Sequence, residues 1–222
     1  MNMNVKIQYG LDIESGKIRH ISEVESGEKA NCKCIECGNI LIARKGKIQK
    51  HHFQHKSNKK CNGGNPETVL HLIGKEIIKE NNRVLLFKTK YFDYYKVELE
   101  KKINDYKPDA VVTNNQNESW LVEIAVSHFI DKEKKEKIQR DKKNCIEITL
   151  QQDLIFENRE KIKYEVLQNP ENRKIINDVN GLFDKSKEKN NTNWLLYAII
   201  ISGLFFFKKQ IKKILKGLLV NL

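Results

Sequence analysis

The sequence predicts an α/β domain with a mixed sheet flanked by helices, preceded by a small β-rich module and followed by a C-terminal hydrophobic helix. Three observations carry this. A helical stretch over 67–81, hairpin-like strands over 84–101, a strand pair over 109–126, a charged helical stretch over 131–144 and an apolar strand over 145–150 follow one another. That order fits a mixed sheet covered by helices. Cysteines and histidines crowd into a β-like segment between Cys32 and Cys61, and past Asn193 the composition switches abruptly to apolar residues.

A chain of 222 residues can bury a sizeable core. Its 41 Lys and Arg against 29 Asp and Glu leave a net charge of +12. Such a surplus favours polyanionic partners, either nucleic acid or an anionic membrane face. A lysine-rich solvated surface would give the same count. The 5 cysteines are odd in number, and Met1–Gly10 holds no apolar core of a signal peptide. We therefore expect an intracellular, reducing compartment, where close-set cysteines bind metal more often than they form disulfides.

From the N-terminus, weak alternation over 4–24 with a Ser15-Gly16 turn reads as a β-hairpin, and Gly27 closes a second turn. Next comes NCKCIECGNILIARKGKIQKHHFQHKSNKKC. Cys34 and Cys37 with Gly38 form a CxxCG knuckle that aims two thiolates at one ion. Strands at Ile40–Ala43 and Lys47–Lys50, turning at Gly46, would bring the chain back to it. The expected ligands are Cys34, Cys37, His55 and Cys61, with His52 as the alternative third ligand; Cys32 either replaces a ligand or packs. Zn²⁺ takes four N or S donors in a tetrahedron, and four protein ligands leave no open position, so the ion would be structural. Arg44, Lys45, Lys47 and Lys50 on this zinc-ribbon-like module could contact phosphates.

Pro66 suits the first turn of a helix capped by Asn65, with Leu70, Ile73 and Ile77 on its core face. Glu67, His71 and Lys75 share a second stripe, which also reads as a solvated face. Strands are expected at 84–88 and 91–101. The run Tyr91–Tyr95 reads as hairpin rings packing together or as a base-stacking surface. The centre of the chain is KPDAVVTNNQNESWLVEIAVSHFIDKEK. Its second strand, 120–126, is apolar on both faces except for Glu123, and a lone buried carboxylate is costly unless paired or holding a cation. Asp109, at the start of the neighbouring strand, could join it at a Mg²⁺ site.

Beyond Leu150 the chain reads as polar and helical, interrupted at Pro170, with a charged linker over 184–193. The uncharged stretch Trp194–Phe207 would be about 21 Å long as a helix, short of a roughly 30 Å hydrocarbon core. A helix with Ile211, Ile214, Leu215, Leu218 and Leu219 on one face and Lys208, Lys209, Lys212, Lys213 and Lys216 on the other would follow. We expect 194–222 to anchor the protein at the cytoplasmic side of an anionic membrane, as a span or in the interface.

The motifs CxxCG, HHFQH, the following Cys61, ETVLHLIGKEI, KPDAVV, LVEIAVSHFIDKEK and IEITL occur in an order that resembles the competence protein CoiA-like family. The likeness runs from about Gly27 to Leu150. It implies a zinc-binding module over 1–63 and a PD-(D/E)xK nuclease-like domain over 64–155. A helical region and linker over 156–193 and the anchor over 194–222 complete the division. On this resemblance Asp109 and Glu123 are metal-binding carboxylates, and Glu67 is the acidic residue of the first helix. The implied activity is Mg²⁺-dependent hydrolysis of DNA, in uptake, recombination or defence. The chain departs from the pattern at Ala125, where the superfamily has a lysine. Lys134, Lys75 and His128 are the candidate substitutes. A catalytically inactive nucleic-acid-binding module, or a membrane-linked zinc-binding adaptor, remains the alternative.

Overall fold

Continuous apolar runs need cover on both faces, and this chain supplies it with helices. The computed structural model describes residues 6–57, 61 and 64–183. It is α/β, with one mixed sheet, antiparallel strands elsewhere and, among the described residues, three α-helices. These elements fall in the unit Met1–Asn180. A second unit, Gly181–Leu222, holds the apolar stretch and the basic helix expected after it, and both lie outside the described residues. Among the described residues no helix is long and apolar enough to cross a membrane.

The first sheet is antiparallel, in the order β2-β1-β3-β4-β5. Its strands are β1 (Tyr9–Asp12), β2 (Ile18–His20), β3 (Gly27–Lys33), β4 (Ile40–Arg44) and β5 (His52–His55). Its core gathers Ile21, Ala30, Cys32, Cys34, Leu41, Ala43 and Phe53. The strand expected at 47–50 lies instead at β5. Phe53 can be buried opposite Ala43, whereas Ile48 stands 99% exposed in the connecting loop.

α1 (Pro66–Glu80) starts as its sequence dictates. Asn65 Oδ1 accepts from the Glu67 amide at 3.1 Å, and Pro66 occupies the first turn. Its buried face is Val69, Leu70, Ile73, Ile77 and Ile78. Gly74 lets it approach the sheet closely: a Cβ there would stand 3.2 Å from Ile124.

β6 (Arg83–Phe87) and β7 (Lys90–Asp93) form a two-stranded ribbon, while β8 (Lys96–Leu99) joins the second sheet. The single strand expected over 91–101 is thus broken. The Tyr94 amide bonds to Asn82 O and the next amide, of Tyr95, to Thr113 O. The buried Tyr94 hydroxyl, donating to Ile78 O at 2.8 Å, pins the crossing. Of the aromatic run, Phe92 and Tyr94 are buried, and Tyr91 lies exposed under Arg83.

The second sheet has the order β12-β11-β10-β9-β8. β9 (Ala110–Thr113) flanks β10 (Ser119–Ala125) antiparallel; β11 (Asn144–Thr149) flanks it in parallel, reached through α2 (Lys132–Arg140). With neighbours on both sides and helices above and below, β10 has no polar surface to offer, hence its apolar run. Strand alternation puts Leu121, Glu123 and Ala125 on one face. Leu121 packs there with Ile138 of α2, Cys145 and Val111.

The region expected to be helical after 150 contains α3 (Arg159–Leu167) but then returns as a strand, β12 (Arg173–Asn177), on the edge of the second sheet. α3 lacks a glycine cap, and Arg173 serves its C-terminus. The buried guanidinium donates to the carbonyls of Glu165, Val166 and Asn169, and also to Leu85 O and Asn172 Oδ1. Burial pulls its pKa down to about 10, so it stays charged at neutral pH. Arg173→Ala would strand several buried carbonyls at about 1–3 kcal/mol each. We expect a loss of roughly 3–5 kcal/mol in chemical denaturation; a loss below about 1 kcal/mol would show that water replaces the guanidinium.

α3 also ties the first sheet to α1. Arg159 donates to Ile18 O at 3.2 Å and pairs with Glu76 at 3.1 Å and Glu80 at 3.0 Å. The Tyr9 hydroxyl donates to Glu157 O at 2.6 Å.

Candidate metal centre and acidic cavity

Cys34 and Cys37 lie in the tight turn between β3 and β4, where Gly38 adopts φ +70°, a left-handed conformation that glycine takes at least cost. His55 ends β5 and Cys61 follows it. Their four donor atoms lie within 4.8 Å of one another. Cys34 Sγ and Cys61 Sγ are 3.7 Å apart, and Cys37 Sγ and His55 Nε2 3.4 Å. The edges of a zinc tetrahedron with about 2.3 Å Zn–S and 2.0 Å Zn–N bonds are roughly 3.5–3.8 Å, so the quartet could hold a metal ion such as zinc. Burial opposes ionisation of Cys37, but the Asn39 backbone and side-chain N–H groups and the neighbouring thiols outweigh it and bring its pKa down to about 6. One ligand is therefore a ready thiolate at neutral pH. Cys34 is shifted the other way by burial.

The two open questions of the motif are answered by strand geometry. His52 and His55 are three apart on β5, so they point to opposite faces, and His52 is not in the cluster; its Nδ1 lies 2.9 Å from Lys50 O. Cys32 is fully buried in the core, donates to Ala30 O at 3.1 Å and is raised to about 11 by burial. It packs and does not ligate.

The carboxylates predicted from the sequence line a second place. Glu67, His71, Asp109, Glu123, Ala125, His128, Lys134 and Glu147 surround a cavity of about 370 Å³ beside the N-termini of α1 and α2. Glu123 is 8% exposed at its side chain, and Lys134 Nζ stands 2.8 Å from its Oε1 as an ion pair without hydrogen-bonding angles. Burial pushes the Glu123 carboxyl up to about 7, against Lys134 and with help from Asp109. For Asp109, burial is outweighed by His71 and by the Ile124 amide, which donates to its Oδ2 at 2.8 Å, and the pKa falls. Glu67 is likewise lowered, because His128 overcomes the effect of burial. One cavity thus holds carboxyls pulled in opposite directions.

Lys134 is set by the start of α2: the capping Asp131 accepts its amide at 2.7 Å, and its ammonium also reaches Lys107 O at 3.3 Å. His128, which strand alternation would send to the opposite face, enters because β10 ends at Ala125; its Nδ1 lies 3.0 Å from Glu67 Oε1. Lys75 is not brought in. It pairs with Glu100 at 2.6 Å and lines a different, apolar cavity with Leu11, Ile18 and Leu72. Its stripe is split, one part facing the carboxylates and one part facing the first sheet.

Two residues in the cavity were not among the expected site residues, although His71 shares the stripe of Glu67 on α1. His71 bridges the acids, 3.5 Å from Asp109 Oδ2 and 3.8 Å from Glu67 Oε1; its place one turn after Glu67 was the available signal. Glu147 stands opposite Glu123 in the parallel register and is 1% exposed. It carries the same signal as Glu123, a carboxylate in an apolar strand, but it accepts the Ile130 amide at 2.6 Å and so holds the loop above the cavity. Among the described residues the Cys/His quartet is the group whose donors all fall within 4.8 Å of one another; the carboxylates share walls without that convergence. No family model, no curated protein and no solved structure matches this chain.

Proposed function

We propose that the protein is a metal-dependent nuclease, similar to the CoiA-like family and of PD-(D/E)xK type, whose quartet carries structural zinc. The observation that carries this reading is the half-buried Asp109, just before β9, and the buried Glu123 on the adjacent β10, facing one cavity with an ammonium on Glu123. Burial holds the Glu123 carboxyl near 7 despite Lys134 and His71, so it is undercompensated, and a divalent cation would supply the missing charge. The donor set is all-oxygen from Asp109, Glu123 and Glu67, which suits Mg²⁺. When bound, the ion would polarise a phosphodiester and stabilise the leaving oxygen. Asp109 and Glu123 would fix its position, and the Lys134 ammonium would orient a water for in-line attack. The +12 charge supplies salt-dependent attraction to the polyanion. The segment 194–222 would hold the protein at an anionic membrane.

A non-cleaving nucleic-acid-binding module is the second reading, favoured by Ala125 and by the wide spacing of the carboxylates. Cleavage of single-stranded and duplex DNA by purified protein with and without Mg²⁺ separates the two. In that assay Lys134→Ala is expected to lower the rate about 10²-fold or more, and Ala125→Lys added to it to restore a measurable part. Wild-type rate in Lys134→Ala would remove the lysine from the mechanism.

A further inference from the structure

The loop between β10 and α2 is fixed on either side of one residue. His128 Nδ1 lies 3.0 Å from Glu67 Oε1, and the Ile130 amide donates to Glu147 Oε2 at 2.6 Å. Between them Phe129 lines the acidic cavity and is nevertheless 56% exposed. Its two neighbours are tied to cavity carboxylates on elements that do not move with the loop. The backbone on either side of Phe129 is thereby set, and more than half of the residue is left to solvent at the mouth of the cavity.

Lys134 brings positive charge to the wall of the same cavity, and Lys132, at the start of α2, is 90% exposed at its side chain with Glu136 3.8 Å away. Charge for a backbone and an apolar face beside it are the two parts of a single-strand binding surface.

We propose that Phe129 is a base-stacking platform that presents single-stranded or locally unpaired nucleic acid to the cavity. This rests on the nucleic-acid reading above and adds its substrate class. Every base has a π-face, so the contact is sequence-tolerant. In a duplex those faces are covered by neighbouring base pairs, and exposing one requires unstacking. Phe129 makes no use of paired bases, whereas the lysines attract either form through phosphate.

The test is fluorescence anisotropy of the full chain with a labelled 15-nucleotide oligothymidylate and with a blunt duplex of the same length. It is run without added Mg²⁺ and without chelator, so that no cleavage occurs and the quartet is left intact. Phe129→Ala should weaken single-strand binding about 5- to 150-fold, the worth of one base stack. Duplex binding should stay within about twofold, and Phe129→Trp should restore the single-strand affinity. The thermal midpoint should not move, because the ring is exposed. Unchanged single-strand affinity in Phe129→Ala, equal losses for both forms, or a wild type that does not bind the oligothymidylate would overturn the proposal. Failure of the nuclease reading shows separately, as absence of Mg²⁺-dependent cleavage with binding retained.

Discussion

Loss of metal from the Cys34–Cys37–His55–Cys61 quartet is expected to destabilise the protein by more than about 4 kcal/mol, the effect of a ligand at roughly 1,000 times its dissociation constant. For a chain of this size that is a fall in thermal midpoint on the order of 10 °C. The first sheet has a small core, built largely of Ala, Cys and single large residues such as Leu41 and Phe53. Cores of this size usually need a staple. Cys34 belongs to that core and to the quartet at once, so the ion would close the β3–β4 turn on the end of β5 and on Cys61. Atomic absorption should find about one zinc per chain in the wild type and a large loss in Cys37→Ser. Cys37 is exposed, so its hydroxyl replacement adds no packing defect of its own. Trypsin should then cut at Lys45, Lys47 or Lys50 well before the second sheet is degraded. A metal-free protein with unchanged midpoint and digestion pattern would reduce the quartet to a chance cluster.

Asp109→Asn and Glu123→Gln are each expected to lower Mg²⁺-dependent cleavage on the order of 10³-fold, several kcal/mol of transition-state stabilisation. Both replacements keep side-chain volume. Asparagine still offers an oxygen to the Ile124 amide, so the start of β9 should stay in place. Glu123→Gln removes a charge whose burial already pushes its pKa up, so folding stability should hold or rise slightly. Activity and stability would then move apart, which a merely structural role for Glu123 does not allow. DNA binding should persist in both variants, since phosphate attraction comes from the lysines. Full cleavage in either purified variant would remove it from the site.

The two candidate sites were legible to different degrees. The quartet could be read in advance because CxxCG constrains its own geometry over a few residues. The choice of His55 over His52 needed the register of β4 with β5, which places Leu41 against His55 and Arg44 against His52. Alternation alone places the strand at 47–50 as readily as at 52–55, and the structure selects the latter because it has Phe53 to bury. In the acidic cavity, Asp109 and Glu123 announced themselves through their apolar neighbours. Glu147 had the same appearance and a different use, since the amide of Ile130 takes its oxygen.

By itself the sequence determined the α/β class, the start of α1 at Asn65-Pro66, the cysteine knuckle and the buried run of β10. Each depends on residues near one another in the chain: a cap, a turn, a period of apolar side chains. Tertiary structure alone decided that Lys134 meets Glu123 while Lys75 leaves for Glu100, and that the chain after Pro170 returns as β12 to the sheet edge. Those outcomes depend on which helix lies over which face and on where buried carbonyls, such as those capped by Arg173, find donors. No local pattern encodes contacts of that kind, because their partners are brought together by packing across long stretches of chain.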